Sequence, residues 1–135
     1  MTLYLLDSNI VSDLAKNPNG RVKAKILHVG ESAIATSIIV SAELRFGAAK
    51  RNSPDLTDRI EKILGAITIL ALQPPADHHY GQIRAPLERR GQIIGANDLL
   101  IAAHAVSLSA ILVTGNVGEF VRVDGLVVEN WLVGE

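Results

Sequence analysis

Leu3-Tyr4-Leu5-Leu6-Asp7-Ser8-Asn9-Ile10-Val11-Ser12-Asp13-Leu14 begins with a short apolar run that breaks off at three polar residues. Asp, Ser and Asn favour caps and turns because their short side chains bond to nearby backbone N–H groups. Ile10, Val11 and Leu14 then recur at helical spacing until Asn17-Pro18-Asn19-Gly20 stops the pattern. The stretch therefore reads as strand, tight turn, helix.

The same alternation continues outward. Val22, Ile26 and Leu27 suit a second helix, and Ala33 to Thr36 a second buried strand. Thr36 or Ser37 then caps a helix whose apolar stripe is read as Ile38, Ile39, Ala42, Phe46 and Ala49. Pro54 opens an amphipathic segment that ends near Gly65, and Ile67 to Leu72 forms a third strand. Pro74-Pro75 starts a helix running towards Arg89 and Arg90. Asn97 is expected to cap the next helix, which begins at Asp98 and is rich in good helix formers. Ala110 to Val113 and Leu126 to Val128 complete the strands. Strands apolar on both faces, alternating with helices, predict an α/β fold with a mainly parallel central sheet of four to five strands flanked by helices. With no repeat, low-complexity tract or linker, one domain over residues 1–135 is expected.

Bulk composition removes several function classes. Hydrophobic residues are 48% and charged residues 20%, a globular balance. Aromatic residues are only 4%, which argues against reading single-stranded RNA by base stacking. The absence of cysteine excludes disulfides, thiolate metal sites and cysteine nucleophiles. The opening MTLYLLDSN lacks a basic leader, and no apolar stretch approaches the roughly 20 residues of a membrane span, so a cytoplasmic protein is expected. A net charge of -1 is not the footprint of a chain that coats nucleic acid by charge alone. Arg45, Lys50 and Arg51, and then Arg84, Arg89 and Arg90, cluster locally in a way that solvated helix faces also explain.

In open α/β sheets ligands gather beyond the carboxyl ends of the strands. Asp7 directly follows the first strand, and Asn116 and Glu119 follow the fourth. Asp98 stands in the first turn of its helix and Glu43 about one and a half turns into another. Each has a plainer reading: Asp7 as a cap, Asp98 as a partner of the helix dipole, Glu119 as a solvated loop residue. Glu43 resists one, because it falls within or beside the apolar stripe, where a carboxylate is costly without a cation or donors. Arg45 points elsewhere on the helix. Carboxylates converging on one sheet end would repel each other, and Mg²⁺, a hard ion preferring oxygen ligands, would relieve this. Such an ion suits phosphodiester hydrolysis.

Other constellations are weaker. His78 and His79 are adjacent and point about 100° apart on a helix, so they do not face one substrate. His28 and His104 stand alone on helical segments and suit surface or core positions. No Walker-type loop, dinucleotide fingerprint or nucleophile elbow is present.

Taken in order, the motifs resemble a known family. Leu5-Leu6-Asp7-Ser8-Asn9-Ile10-Val11-Ser12 resembles the Leu-Asp-Thr-Asn signature of PIN domains. The stretches from Ser37 to Gly47, from Ile94 to Ala105 and from Thr114 to Phe120 resemble the second, third and fourth motifs, and Val128-Glu129-Asn130-Trp131 a common ending. The set spans the chain in the right order and is most similar to VapC-type toxins of toxin–antitoxin pairs.

The resemblance implies a three-layer PIN-like sandwich and an endoribonuclease that needs Mg²⁺ or Mn²⁺, cleaves cellular RNA and blocks translation. It also implies a cognate antitoxin that masks the site, a homodimer, and a hetero-oligomer with the antitoxin. Asp7, Glu43 and Asp98 match the family's principal catalytic and metal-binding acids, and Asn9 and Thr114 its supporting polar positions. The fourth motif departs from the pattern: Asn116 stands where many PIN domains have Asp, Gly115 replaces an Asn, and Ser8 replaces Thr. Glu119 is the candidate to compensate for Asn116. Two other readings remain open at this stage. One is a non-catalytic PIN-like module binding RNA or protein; the other is a Mg²⁺-dependent phosphatase acting on a small substrate.

Overall fold

The computed structural model describes residues 1–134. Its elements follow as β1 (Tyr4–Leu6), α1 (Ser8–Lys16), α2 (Arg21–Val29), β2 (Ile34–Ser37), α3 (Ile38–Arg51), α4 (Pro54–Ala66), β3 (Thr68–Leu70), α5 (Ala76–Arg89), α6 (Ala96–Ser107), β4 (Ile111–Val113), α7 (Val117–Phe120) and β5 (Val127–Glu129). The strands form one sheet in the order β3-β2-β1-β4-β5, and every neighbouring pair is parallel. The expected α/β architecture is present, with five strands and helices flanking the sheet.

The opening stretch folds as read. Leu5 and Leu6 are fully buried, as are Ile10 and Val11 on the following helix. The register sets Leu6 between Thr36 of β2 and Val113 of β4, so the three strands end side by side. The chain then leaves each strand at the same edge of the sheet. Thr36, fully buried, bonds its hydroxyl to the Leu6 carbonyl at 2.7 Å. Ser37 caps α3 through the Ile39 N–H, one of the two caps anticipated there.

Two expectations fail. The buried face of α3 is Val40, Ser41, Leu44 and Ala48, whereas Ile38 and Phe46 are 47% and 67% exposed and Ala42 and Ala49 also face out. The helix carries small or apolar residues on both sides, so periodicity alone selects no single face. Asn97 does not cap α6; Gly95 is the capping residue, and Asn97 lies inside the helix.

Among the described residues, no helix is long and apolar enough to cross a membrane.

Candidate active site

Asp7 sits where β1 ends and α1 begins, so its position is fixed by both elements. Its backbone N–H donates to Val113 O at 2.9 Å, which ties the end of β1 to β4. Its Oδ1 accepts from Ser8 N–H at 2.8 Å and caps α1. Its Oδ2 accepts from Thr114 Oγ1 at 2.7 Å and more loosely from Asn9 Nδ2 at 3.4 Å. The cap reading of Asp7 is thus correct, yet it uses only one oxygen. The residue is 3% exposed, and burial holds its carboxyl above the ordinary range against the opposing bonds from Thr114, Ser8 and Asn9.

Thr114 and Asn9 build a frame around that carboxylate. Thr114 Oγ1 also accepts from Asn116 N–H at 3.0 Å and lies 3.3 Å from Asn9 Nδ2, while Gly115 N–H donates to Asn9 Oδ1 at 2.8 Å. The loop after β4 is thereby fastened to the first turn of α1. A Cβ on Gly115 would stand 2.6 Å from Leu132 Cδ1, so a side chain here requires Leu132 to move.

The other acids converge from different elements. Asp98, in the first turn of α6, is pushed up to about 7. Burial is the largest cause, followed by the charges of Glu119 and Asp7, a hydrogen bond with Glu119, and the charge of Glu43. Glu43 is also held above its ordinary value, chiefly by burial and further by Asp7, against a bond from Asn97 Nδ2 at 3.3 Å. Glu119 goes the other way. Gly95 N–H donates to its Oε1 at 2.7 Å and Asn116 Nδ2 to its Oε2 at 2.6 Å, and these bonds, with Asp98 and the Arg122 charge, keep it ionised. Asp98 therefore carries the proton of the Asp98–Glu119 pair.

All seven residues singled out from the sequence (Asp7, Asn9, Glu43, Asp98, Thr114, Asn116, Glu119) thus belong to one hydrogen-bonded or electrostatically coupled group. Asn116 holds Glu119 rather than supplying charge itself. Asn97 and Gly95 join the group through their bonds to Glu43 and Glu119, contacts the sequence does not announce. Both stand beside Asp98 in the third motif, and their roles arise only when α3 and α7 come close.

No Lys or Arg among the described residues forms an ion pair with Asp7, Glu43, Asp98 or Glu119. Arg45 is bidentate to Glu61, at 2.8 and 3.0 Å, and bonds Ser41, as its helical position suggests. Glu43 Oε1 is buried without any hydrogen-bond partner. Such an atom is expensive unless a cation or donor reaches it. Among the described residues, no three Asp, Glu or His side chains close into a ready-made ligand set.

Of the histidines, His104 is buried and its Nδ1 lies 2.8 Å from Ser37 Oγ. Because Ser37 Oγ already accepts from Ile39 N–H, its hydroxyl proton is free to go to Nδ1. That leaves the proton of the neutral ring on Nε2, which is buried without a hydrogen-bond partner. Burial holds His104 below its ordinary value, so it is a core residue joining α6 to the start of α3.

This arrangement has relatives. The sequence profile of the PIN domain matches residues 4–126. The chain belongs to the PIN-domain family. Within it, this PIN domain groups with the VapC ribonucleases. It is 41% identical to Ribonuclease VapC2 of Haemophilus influenzae, over 98% of this chain and 100% of that one. It is 36% identical to the tRNA(fMet)-specific endonuclease VapC of Shigella flexneri, over 97% and 99% respectively. The solved VapBC2 of Rickettsia felis, bound to a DNA fragment from its promoter, superposes with a TM-score of 0.88 at 34% identity, covering 96% of this chain and 99% of that chain.

Proposed function

We propose that this PIN domain is a Mg²⁺-dependent endoribonuclease, the toxin of a toxin–antitoxin pair, and that Asp7, Glu43 and Asp98 are its catalytic acids. The observation that carries the reading is the convergence of the buried Asp7 with the half-buried Asp98 and Glu43, none of them in an ion pair with Lys or Arg, with Glu43 Oε1 left unpartnered. A hard divalent cation fits that donor set. Mg²⁺ keeps several waters and is held by one or two carboxylates, so an open set of acids suits it better than a closed cage.

Asp7 and Asp98 would hold the ion directly, and Glu43, with one oxygen unpartnered, would stand beside it. Mg²⁺, or Mn²⁺ in its place, would supply the charge that activates a water and stabilises the phosphate oxygens. The residues of the chain do the rest. Thr114 and Asn9 fix the Asp7 carboxylate, and Asn97 steadies Glu43. Glu119, held ionised by Gly95 and Asn116, stands beside Asp98 as the fourth acid and keeps a negative charge next to it. Water would attack phosphorus in line and give up a proton to solvent, the bond to the 3′ oxygen would break, and that oxygen would take up a proton, leaving a 3′-hydroxyl upstream and a 5′-phosphate on the downstream fragment.

The relatives solved as VapBC complexes support a cognate antitoxin as partner, with which the chain would form a hetero-oligomer. The outward apolar residues Ile38 and Phe46 on α3 support a homodimer as well. Action on cytoplasmic RNA would then halt translation and growth. In the test, Asp7→Asn and Asp98→Asn each abolish RNA cleavage and growth arrest while the circular dichroism spectrum is unchanged. Cleavage that survives in both and still responds to EDTA would sink the reading. Ends carrying 2′,3′-cyclic phosphate would replace attacking water by the ribose 2′-hydroxyl.

A further inference from the structure

A hollow of about 260 Å³ opens beside Glu43 and runs away from the acids between α1, α3 and α4. Its walls are built by helical repetition. Ser8, Ser12 and Lys16 line one side at four-residue intervals along α1, and Glu43, Gly47 and Arg51 line the other at the same interval along α3. Each wall covers two helical turns or slightly more, so the trench is ~12 Å long. Both helices leave parallel strands at the site end and run the same way, which places Ser8 and Glu43 at one mouth and Lys16 and Arg51 at the other. The floor is apolar, provided by Leu56 and Ile60 of α4.

Neither cation is held in an ion pair, and Lys16 stands where the trench meets the hollow at the amino end of the sheet. Lys16 and Arg51 are exposed and form no ion pair among the described residues, unlike Arg45, Arg59 and Arg84, which are paired along or between helices. Each stands in the last turn of its helix, where the dipole favours positive charge. That accounts for a cation at either end, but not for a groove of small side chains joining both to the acids.

Resting on the ribonuclease reading, we infer that this trench is an RNA subsite. The strand lies from the scissile phosphate at the acids along α1 and α3, and Lys16 and Arg51 bind phosphates flanking the cut. Ser8 and Ser12 offer hydroxyls to the backbone on the way, and the apolar floor receives a ribose or base face. A chain of net charge -1 thus concentrates its affinity for a polyanion in one short track.

The test uses the full-length protein and a defined single-stranded RNA oligonucleotide. Lys16→Gln combined with Arg51→Gln is expected to raise KM about tenfold and leave kcat within about twofold, since no group at the cut is touched. With cleavage silenced by Asp98→Asn, the double substitution should weaken RNA binding similarly. It should also lower the slope of log affinity against log salt by about 1.4, or about 0.7 for each lost phosphate contact. A purely structural role would change Tm and not the salt slope, and Lys16→Arg with Arg51→Lys should restore both affinity and slope. Unchanged KM and salt slope in the Gln variant overturn the subsite. So does a variant that binds RNA normally but loses the antitoxin, which would give the trench to the protein partner. A wild-type protein that neither binds nor cuts RNA removes the ribonuclease reading itself.

Discussion

The two ends of the central sheet differ in a way that cavity size does not reveal. The larger hollow, about 670 Å³, lies at the amino end, among Leu14, Ile26, Ile34, Ile63 and Ile67. Lys23, Arg59 and Lys62 rim it, with Glu31 as the one acid, and Lys16 stands where it meets the trench between α1 and α3. The carboxyl end holds smaller hollows, about 430 Å³ beyond β3 and about 260 Å³ beside Glu43, yet it gathers Asp7, Asp98 and Glu119 with Glu43 beside them. At the amino end the charges are solvated and at least two are paired: Lys23 with Glu31, and Arg59 with Asp55. At the carboxyl end they are desolvated and alike, so each raises the cost of ionising the next. The proposed site thus follows the unfavourable electrostatics rather than the volume.

The sharpest way to break this contrast is to neutralise each end in turn. Asp7→Asn or Asp98→Asn should lower RNA cleavage by at least about 10³-fold, the scale expected when charge stabilisation is lost at a reacting centre. Lys62→Gln at the amino end should leave cleavage within about twofold. Comparable losses at both ends, in initial-rate assays on one RNA, would remove the distinction.

Removing support without removing an acid should cost less. Thr114→Val keeps the size of the side chain but deletes the bond to Asp7 Oδ2. A loss of about 10- to 100-fold in activity or in metal affinity is expected, the usual range for groups that orient a ligand. Titration of activity against Mg²⁺ separates these, since a looser Asp7 should be partly rescued at high metal concentration.

The pH dependence sharpens the comparison further. Asp98 titrates near 7 in the folded protein and near 3.8 when unfolded. Between those values the folded state holds a proton that the unfolded chain has released, so metal-free stability falls as pH rises through this window. Asp98→Asn should therefore raise Tm at pH 7.5, and the gain should vanish near pH 4. It should be no more than a few degrees, because Asp98 is partly exposed and water screens its neighbours. Activity at low Mg²⁺ should rise with pH towards 7, and this rise should move to lower pH as Mg²⁺ is added, because metal competes with the proton. A pH midpoint indifferent to Mg²⁺ would separate Asp98 from metal binding.

The smallest effect is expected on the outer face of α3. Phe46→Ser should change cleavage per active site by less than about twofold and stability by no more than about 0.5 kcal/mol, as for most surface positions. Sedimentation of the variant reports whether Phe46 contributes to self-association.

What the sequence by itself determined is the order of elements and the identity of the acids. Leu3 to Leu14 specifies strand, turn and helix locally, because apolar spacing and capping residues act over a few positions. Asp7, Glu43 and Asp98 could be named because each motif is a short continuous segment. The inside of α3 could not, since Ile38 and Phe46 on one face and Val40 and Leu44 on the other satisfy the same period. The stripe that singles out Glu43 in the sequence faces solvent at Ile38, Ala42, Phe46 and Ala49, and only Ile39 of it packs against the core. The real difficulty of Glu43 is a buried Oε1 without a partner, which no local pattern encodes. Only the tertiary structure could bring Asn97 to Glu43 across 54 positions of chain, Gly95 to Glu119 across 24, and Thr114 to Asp7 across 107. Those contacts exist because parallel strands end together and deliver distant segments to one edge, where burial and like charge act on all of them at once.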